Sequence, residues 1–133
     1  MLTIHLDSPV PLSEQIRLGI RRAIAEGERV PGDPLPTVRQ LAGDLGVNFN
    51  TVARAYRDLE QEGLVVSIRR RGTVVASANE KQREPQAALM ERLASKAREF
   101  FIDARLAGLS GTDVQRVIDR EFHSVWLEED STR

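Results

Sequence analysis

The N-terminal half of the chain contains three stretches in which apolar positions recur every three or four residues. That spacing is typical of amphipathic helices and predicts three of them. The first begins near Pro11 and ends near Gly27, the second begins after Thr37, and the third runs from about Asn48 to Glu62. Their apolar faces are formed by Leu12, Ile16, Ile20 and Ile24, by Val38, Leu41, Ala42 and Leu45, and by Val52, Ala55, Tyr56 and Leu59.

After the third helix the pattern changes to short runs of Val and Ile around a basic turn. Residues 64–68 and 73–76 predict two antiparallel strands, and the turn between them contains three consecutive arginines and Gly72. The next residues, 77–85, are polar and predict a linker. The pattern up to this point therefore predicts one domain over residues 1–76.

The C-terminal part of the chain, residues 86–133, predicts two more helices. The first starts at about Gln86 and ends at Gly108, and Ser110 caps the second, with Asp113 three residues later in a near capping box. Large apolar residues recur along both helices, namely Leu89, Met90, Leu93, Phe100, Phe101, Val114, Val117, Ile118, Phe122, Val125 and Trp126. The predicted fold class is therefore mainly α with a small β-hairpin.

Two short helices joined by a tight turn at Gly46 are typical of a helix-turn-helix motif, and the hairpin that follows makes a winged helix. In such motifs the N-terminal part of the second helix enters the major groove of DNA. Here that part carries Asn48, Asn50, Thr51 and Arg54, and an asparagine can bond adenine through two atoms. The alternative is that the two asparagines only cap the helix, and Asn48 is expected to cap it in either case.

Charge is the property that changes this picture most. The whole chain has a formal net charge of -1 and a pI of about 6.1, which is not typical of a nucleic-acid binder. Basic residues are nevertheless concentrated at the predicted wing tip, where Arg69, Arg70 and Arg71 precede Gly72. A tip that contacts phosphates or a minor groove explains this concentration, and a solvated basic turn is the alternative.

Several classes of protein are disfavoured by the composition. Cysteine is absent, which rules out disulfides and thiolate metal sites, and no run of about 18 apolar residues would span a membrane. The first residues do not resemble a signal peptide, and a cytoplasmic location is expected. His5 and His123 lie in no nucleophile or metal motif, and Asp119, four residues before His123, more often has no metal role at such a spacing. We therefore expect no enzymatic activity, no metal and no cofactor.

The chain resembles the GntR family of bacterial regulators over about residues 9–76. The matching segments are Pro11–Ile16, Gly32–Ala42, Leu45–Asn48, Asn50–Val52, Ala55–Glu60, Glu62–Val65 and Arg71–Thr73. The two-helix tail resembles the YtrA-type subfamily, whose members typically form dimers and often govern transporter operons. The resemblance implies a winged helix-turn-helix that binds double-stranded DNA, followed by a two-helix dimerisation module.

The resemblance also implies DNA contacts from particular residues. They are Arg39 in the second helix, Asn48, Asn50 and Thr51 in the third helix, and Arg71 and Gly72 in the wing. Phe49 departs from the family pattern, since the subfamily usually has Pro at this position and other subfamilies often have Arg. Its ring either packs on the sugar backbone, contacts a thymine methyl or lies on the free surface, and these alternatives stay open.

The two C-terminal helices have two interpretations. They either pack back on the winged helix as one domain, or form the interface of a homodimer through Leu89, Leu93, Phe100, Phe101, Phe122 and Trp126. The polar linker and the aromatic surface favour the homodimer, because two helices alone leave much apolar surface exposed. We therefore expect a sequence-specific transcription regulator, by default a repressor, that binds a two-fold symmetric operator. A small-molecule effector of unknown identity would bind near the aromatic residues, and a winged helix used for protein or RNA contact is the main alternative.

Overall fold

The computed structural model describes residues 2–77 and 84–127 of the chain. The chain divides into two compact units, Met1–Ala78 and Asn79–Arg133, which we call the winged-helix unit and the C-terminal unit. Helices and one two-stranded hairpin make up the described elements, which confirms the predicted fold class. Most of the predicted linker, residues 78–83, lies outside the described residues.

The elements follow one another in the predicted order. In the winged-helix unit, α1 spans Leu12–Ala25, α2 Val38–Leu45, α3 Phe49–Gln61, β1 Val65–Ile68 and β2 Gly72–Val75. In the C-terminal unit, α4 spans Gln86–Leu106 and α5 spans Gly111–Phe122, followed by a π-helical turn at His123–Leu127.

The core of the winged-helix unit lies where α1 and α2 pack against α3. All three predicted apolar faces contribute to it, together with residues of the connection and the hairpin. The buried cluster consists of Ile16, Ile20, Leu35, Leu41, Ala42, Val52, Ala55, Tyr56, Leu59, Val65 and Val75. Because burying one large aliphatic side chain contributes about 1.5–3 kcal/mol, this cluster is enough to hold α3 by one face and leave the opposite face free.

The connection between α1 and α2 pairs with the hairpin, which the prediction of a turn-rich segment did not include. The backbone N–H groups of Gly32 and Leu35 donate to the carbonyl oxygens of Val75 and Thr73, both at 2.9 Å. The side chain of Leu35 is buried in the core. The connection therefore acts as a short third strand that supports β2 from its open edge.

The hairpin differs by one residue from the prediction. Its antiparallel register runs from the Val65–Val75 pair to the Ile68–Gly72 pair. Gly72 consequently belongs to β2 rather than to the turn, and the loop is reduced to Arg69–Arg71. The shorter loop concentrates the positive charge of the wing at its tip.

The C-terminal unit has few buried residues of its own. Its second helix is capped as predicted, since Ser110 Oγ accepts from the Asp113 N–H at 3.2 Å and the Asp113 carboxylate accepts from the Ser110 N–H at 3.3 Å. Only Ala104 and Val114 are buried among its described residues. No helix within the described ranges has the length and apolar character needed to cross a membrane.

Candidate nucleic-acid interface

The turn between α2 and α3 is set by local sequence at both ends of α2. Thr37 and Gln40 form a capping box in which each side chain accepts a hydrogen bond, at 3.0 Å, from the backbone N–H of the other residue. Gly46 ends the helix at φ 68, a left-handed conformation that favours glycine. The following Val47 N–H donates to the Ala42 carbonyl at 3.0 Å, so the chain reverses sharply into α3.

The leading end of α3 is polar and open to solvent. Asn48 is the N-cap, and its Oδ1 accepts from the backbone N–H of Asn50 at 2.8 Å. Asn48, Asn50 and Arg54 are exposed and Thr51 is half-buried. The Asn50 side chain has no hydrogen-bond partner among the described residues, whereas the Asn48 oxygen is already occupied. Asn50 is therefore the asparagine with both amide atoms available for an adenine edge.

Tyr56, predicted as part of the apolar face of α3, also makes a hydrogen bond to the connection before α2. Its hydroxyl donates to the Pro36 carbonyl at 2.6 Å and its ring is buried. Burial raises the pKa of Tyr56 to about 12. The bond ties α3 to the residue just before the α2 capping box, so the two helices of the motif share one fixed point.

The far end of α3 carries negative charge that α1 compensates. The Glu62 carboxylate pairs with Arg17 at 2.5 Å and with Arg21 at 3.6 Å. Arg17 also forms a bidentate ion pair with the Glu14 carboxylate. This hydrogen-bonded pairing raises the pKa of Arg17 and lowers the pKa of Glu14. The charge of Glu62 at the end of α3 is thus compensated by α1 within the unit.

The wing tip is a tight turn with an unusual backbone. The Arg71 N–H donates to the Ile68 carbonyl at 3.0 Å, and Arg70 between them has φ 78. Arg70 is the one non-glycine residue with positive φ in the described part of the chain. Such a conformation costs about 1–3 kcal/mol for a residue with a side chain. Gly72, at φ 76, adopts the same region without that cost.

Six arginines of the winged-helix unit are exposed and have no ion-pair partner among the described residues. Five of them, Arg39, Arg54, Arg69, Arg70 and Arg71, were predicted to contact DNA, and the sixth is Arg57. Arg57 was not among the residues predicted to contact DNA, although Asn50, Arg54 and Arg57 are spaced four and three residues apart and so share one face of α3. Guanidinium groups without carboxylate partners are available to phosphate oxygens.

The aromatic residues predicted for a dimer interface lie close together in pairs, with the rings of Phe100 and Phe101 5.7 Å apart and those of Phe122 and Trp126 5.0 Å apart. Phe100, Phe122 and Trp126 line one open groove of about 360 Å³, while Phe101 lines a second groove of about 370 Å³ together with Arg105. Leu93 is exposed and Leu89 half-buried, and neither lines either of these two grooves. The four aromatic side chains are between 43% and 59% exposed.

No group of three or more His, Cys, Asp or Glu side chains in the described ranges is placed to hold a metal ion. The Asp119 carboxylate accepts a hydrogen bond from Gln115 at 2.9 Å on the same helix.

The chain was compared with known proteins at the level of sequence. A family model described as "Bacterial regulatory proteins, gntR family" matches residues 12–75. The HTH-type transcriptional regulator Rv1152 of Mycobacterium tuberculosis is 38% identical over 117 residues, covering 88% of this chain and 90% of the relative. The HTH-type transcriptional repressor YtrA of Bacillus subtilis is 37% identical over 109 residues, covering 82% of each chain. Both alignments are longer than the winged-helix unit, so they include part of the C-terminal unit.

Solved structures show the same relationship. YtrA from Sulfolobus acidocaldarius, titled a GntR-family transcription factor, is 38% identical with a TM-score of 0.58, covering 74% of this chain and 97% of that one. A structure from Listeria monocytogenes EGD-e titled a transcriptional antiterminator is 27% identical with a TM-score of 0.79, covering 94% and 92%. The DNA-binding domain of AraR, solved in complex with operator ORX1, is 30% identical with a TM-score of 0.52, covering 56% and 96%. The predicted resemblance is confirmed, and the chain belongs to the GntR family of helix-turn-helix transcription regulators.

Proposed function

We propose that this protein is a repressor that binds a two-fold symmetric DNA operator as a homodimer. The observation that carries the proposal is the exposed, polar leading end of α3, combined with six unpaired arginines on the same unit. A relative that is 37% identical over most of its length is named a repressor, and a related domain has been solved on operator DNA. The proposed organisation is a DNA-binding domain at 1–76, a linker at 77–85 and a dimerisation module at 86–133.

Base recognition is assigned to the leading end of α3. When this end lies in the major groove, Asn50 presents a free amide and Thr51 and Arg54 follow on the next turn. Asn48 keeps its capping bond, so its remaining amide N–H groups suit a phosphate or a single base acceptor.

Backbone contacts are assigned to the arginines around that end. Arg39 on α2 and the wing arginines approach the phosphates or the minor groove, and the N–H of Gly72 suits a close approach to the backbone. These contacts position the protein on any sequence, whereas the α3 contacts select among sequences. The division predicts different behaviour for substitutions in the two places.

Dimerisation is assigned to the exposed apolar residues of α4 and α5. Exposed aromatic side chains on so small a helical unit form the kind of apolar patch that marks an interface. A second copy related by a two-fold axis would cover them and present two recognition helices to two inverted half-sites.

An effector is assigned to the grooves of the C-terminal unit. Their volumes, about 360 and 370 Å³, fall at the lower end of the usual range for small-molecule sites. A ligand there would alter the dimer and hence the separation of the recognition helices, so its binding and DNA binding would be reciprocally coupled. Trp126 is the only tryptophan of the chain, and its fluorescence would report ligand binding while DNA affinity is measured in parallel.

The proposal is tested by selecting bound DNA from a random pool with the full-length protein. The expected consensus is an inverted repeat, and single-stranded RNA of the same sequence should not compete for binding. A consensus with one half-site and no inverted partner, or equal competition by RNA, contradicts the proposal.

Two substitutions then separate the kinds of contact. Arg71→Ala should weaken binding to all sequences and reduce the slope of log affinity against log salt by about one. Asn50→Ala should relax the preference for one adenine at a cost of about 1–3 kcal/mol on the selected site. Arg22→Ala, on α1 and paired with Glu26, is the matched control and should change neither property. Equal effects of the first two substitutions on selected and random DNA would refute the division.

A further inference from the structure

Phe49 is an aromatic residue that the winged-helix unit does not use for its own core. The unit has two aromatic residues in its described part, and the other, Tyr56, is 6% exposed and buried in the cluster. Phe49 is 50% exposed and belongs neither to that cluster nor to the partly buried apolar residues packed around it. A single exposed apolar residue is common on protein surfaces, so the position of Phe49 in the helix, rather than its exposure alone, carries the inference.

The position of Phe49 in α3 favours a contact with DNA over a contact with another protein. It is the first residue of the helix, directly after the N-cap, and it lies between the exposed Asn48 and Asn50. The Cα–Cβ bonds of a helix tilt toward its N-terminus, so the side chain of the first residue extends beyond the leading end. An apolar ring flanked by two amides is not the broad apolar patch of a protein-binding surface.

The major groove offers a distinct apolar target to such a ring. Of the base-edge groups that line the groove, the C5-methyl of thymine is the apolar one, and aromatic side chains are among those that contact it. Sugar carbons are also partly apolar, but they are the same at every position and cannot select a sequence.

We propose that Phe49 is a specificity-determining residue that recognises the C5-methyl group of one thymine in each operator half-site. The inference rests on the proposed function, because it requires that the leading end of α3 enters the major groove. It adds an apolar base contact to the hydrogen-bonding contact assigned to Asn50. The selected half-site should therefore contain a thymine whose methyl group, rather than its hydrogen-bonding groups, is required.

The test removes that methyl group without changing the protein. Each thymine of the selected operator is replaced in turn by deoxyuridine, which keeps every hydrogen-bonding group of the base. Burial of one methyl group against an aromatic ring corresponds to about a three- to tenfold change in affinity. The affinity of the full-length protein should fall by that factor when deoxyuridine replaces one symmetric pair of thymines. Its affinity for the other substituted operators should be unchanged.

Substitutions of Phe49 then assign the effect to its ring. Phe49→Ala should bind the thymine and deoxyuridine operators equally well, and Phe49→Leu should retain part of the discrimination. Asn50→Ala is the matched control on the neighbouring residue, and it should remain sensitive to deoxyuridine at the same position. Because Phe49 is exposed, the midpoint temperature of thermal unfolding of Phe49→Ala should match that of the wild type.

Two results would overturn the inference. One is equal wild-type affinity for all deoxyuridine operators. The other is a loss in Phe49→Ala that is the same on thymine and deoxyuridine DNA, which would assign the ring to the sugar backbone. In either case a selected inverted repeat and a specific effect of Asn50→Ala would leave the proposed function standing. A selected consensus without an inverted repeat would instead contradict the proposed function.

Discussion

The winged-helix unit and the C-terminal unit bury their apolar residues to very different extents. Thirteen of the fifteen buried apolar residues in the described part of the chain lie in the winged-helix unit, and only Ala104 and Val114 lie in the C-terminal unit. Large side chains such as Ile20 and Leu59 are fully enclosed in the first, while those of Phe122 and Trp126 are half exposed in the second. One unit therefore has a core that closes within itself, and the other has apolar residues without a core.

The difference indicates that the two units are stabilised in different ways. Two helices that enclose only an alanine and a valine gain little from burial, while ordering their backbone costs about 1–2 kcal/mol per residue. In the proposed dimer the C-terminal unit would gain more, because a second copy would cover its aromatic residues. On this view the winged-helix unit is stable at any concentration, and the C-terminal unit is stable as part of a dimer.

The largest expected effect comes from separating the units. Removal of residues 80–133 should leave a folded monomer whose operator affinity is about 10²–10⁴-fold weaker, because the two half-sites are no longer bound together. Circular dichroism measures the folding, sedimentation the mass and fluorescence anisotropy the affinity. A full-length protein that sediments as a monomer at micromolar concentration, or a shortened chain that binds the operator equally well, contradicts the comparison.

A pair of substitutions tests the two kinds of apolar residue directly. Leu59→Ala should lower the free energy of unfolding by about 2–5 kcal/mol at every protein concentration, since it opens a cavity in a closed core. Phe100→Glu should leave the unfolding of the winged-helix unit unchanged but abolish the dimer. Thermal melts over a hundredfold range of concentration distinguish the two. A destabilisation of the winged-helix unit by Phe100→Glu would show that its ring is not at a dimer interface.

The Tyr56–Pro36 hydrogen bond should contribute less to the free energy of unfolding, about 0.5–1.5 kcal/mol. This contribution is measured as the decrease in that free energy caused by Tyr56→Phe. It should also give a pH dependence. The folded protein keeps the phenol proton up to a pKa of about 12, while the unfolded chain loses it near pH 10. The stabilisation is therefore complete below pH 10 and decreases as the pH rises through 12. Urea unfolding between pH 9 and 12 should show this decrease in the wild type and a smaller one in Tyr56→Phe. Parallel curves for the two proteins would contradict it.

The smallest expected effect is at the wing tip. Arg70→Gly should raise stability by up to about 1 kcal/mol, because it removes the cost of positive φ, and should weaken binding to any DNA because it removes a charge. Arg69→Gly is the matched control: it removes the same charge from a residue without positive φ, so it should weaken binding without a gain in stability. A loss of stability in Arg70→Gly would mean that its backbone conformation is not strained.

The winged helix could be predicted well because its signals are local. The capping residues Thr37 and Asn48 and the turn at Gly46 each act through neighbours within a few residues, and all three lie where the pattern indicated. The apolar spacing also identified which face of α1, α2 and α3 is buried, because a period of 3.6 residues places those positions on one side.

The candidate site was predicted less completely than the fold. The exposed leading end of α3 followed from its polar residues, and Asn48 was expected to cap the helix, but only the structure shows that the Asn48 oxygen is used for capping while the Asn50 amide is free. It did not include Arg57, and it left the role of Phe49 open. These distinctions depend on which hydrogen bonds form and which surfaces stay uncovered, and both are properties of the packed chain.

The sequence by itself determined the helices, their caps, the hairpin and the family. Only the tertiary structure decided that the connection before α2 pairs with β2 and that Tyr56 donates to Pro36. It also decided that Glu62 is neutralised from α1 by Arg17. The physical reason is distance along the chain. Helical periods and caps depend on residues close together in the sequence, whereas these contacts join segments that meet only when the core forms around α3.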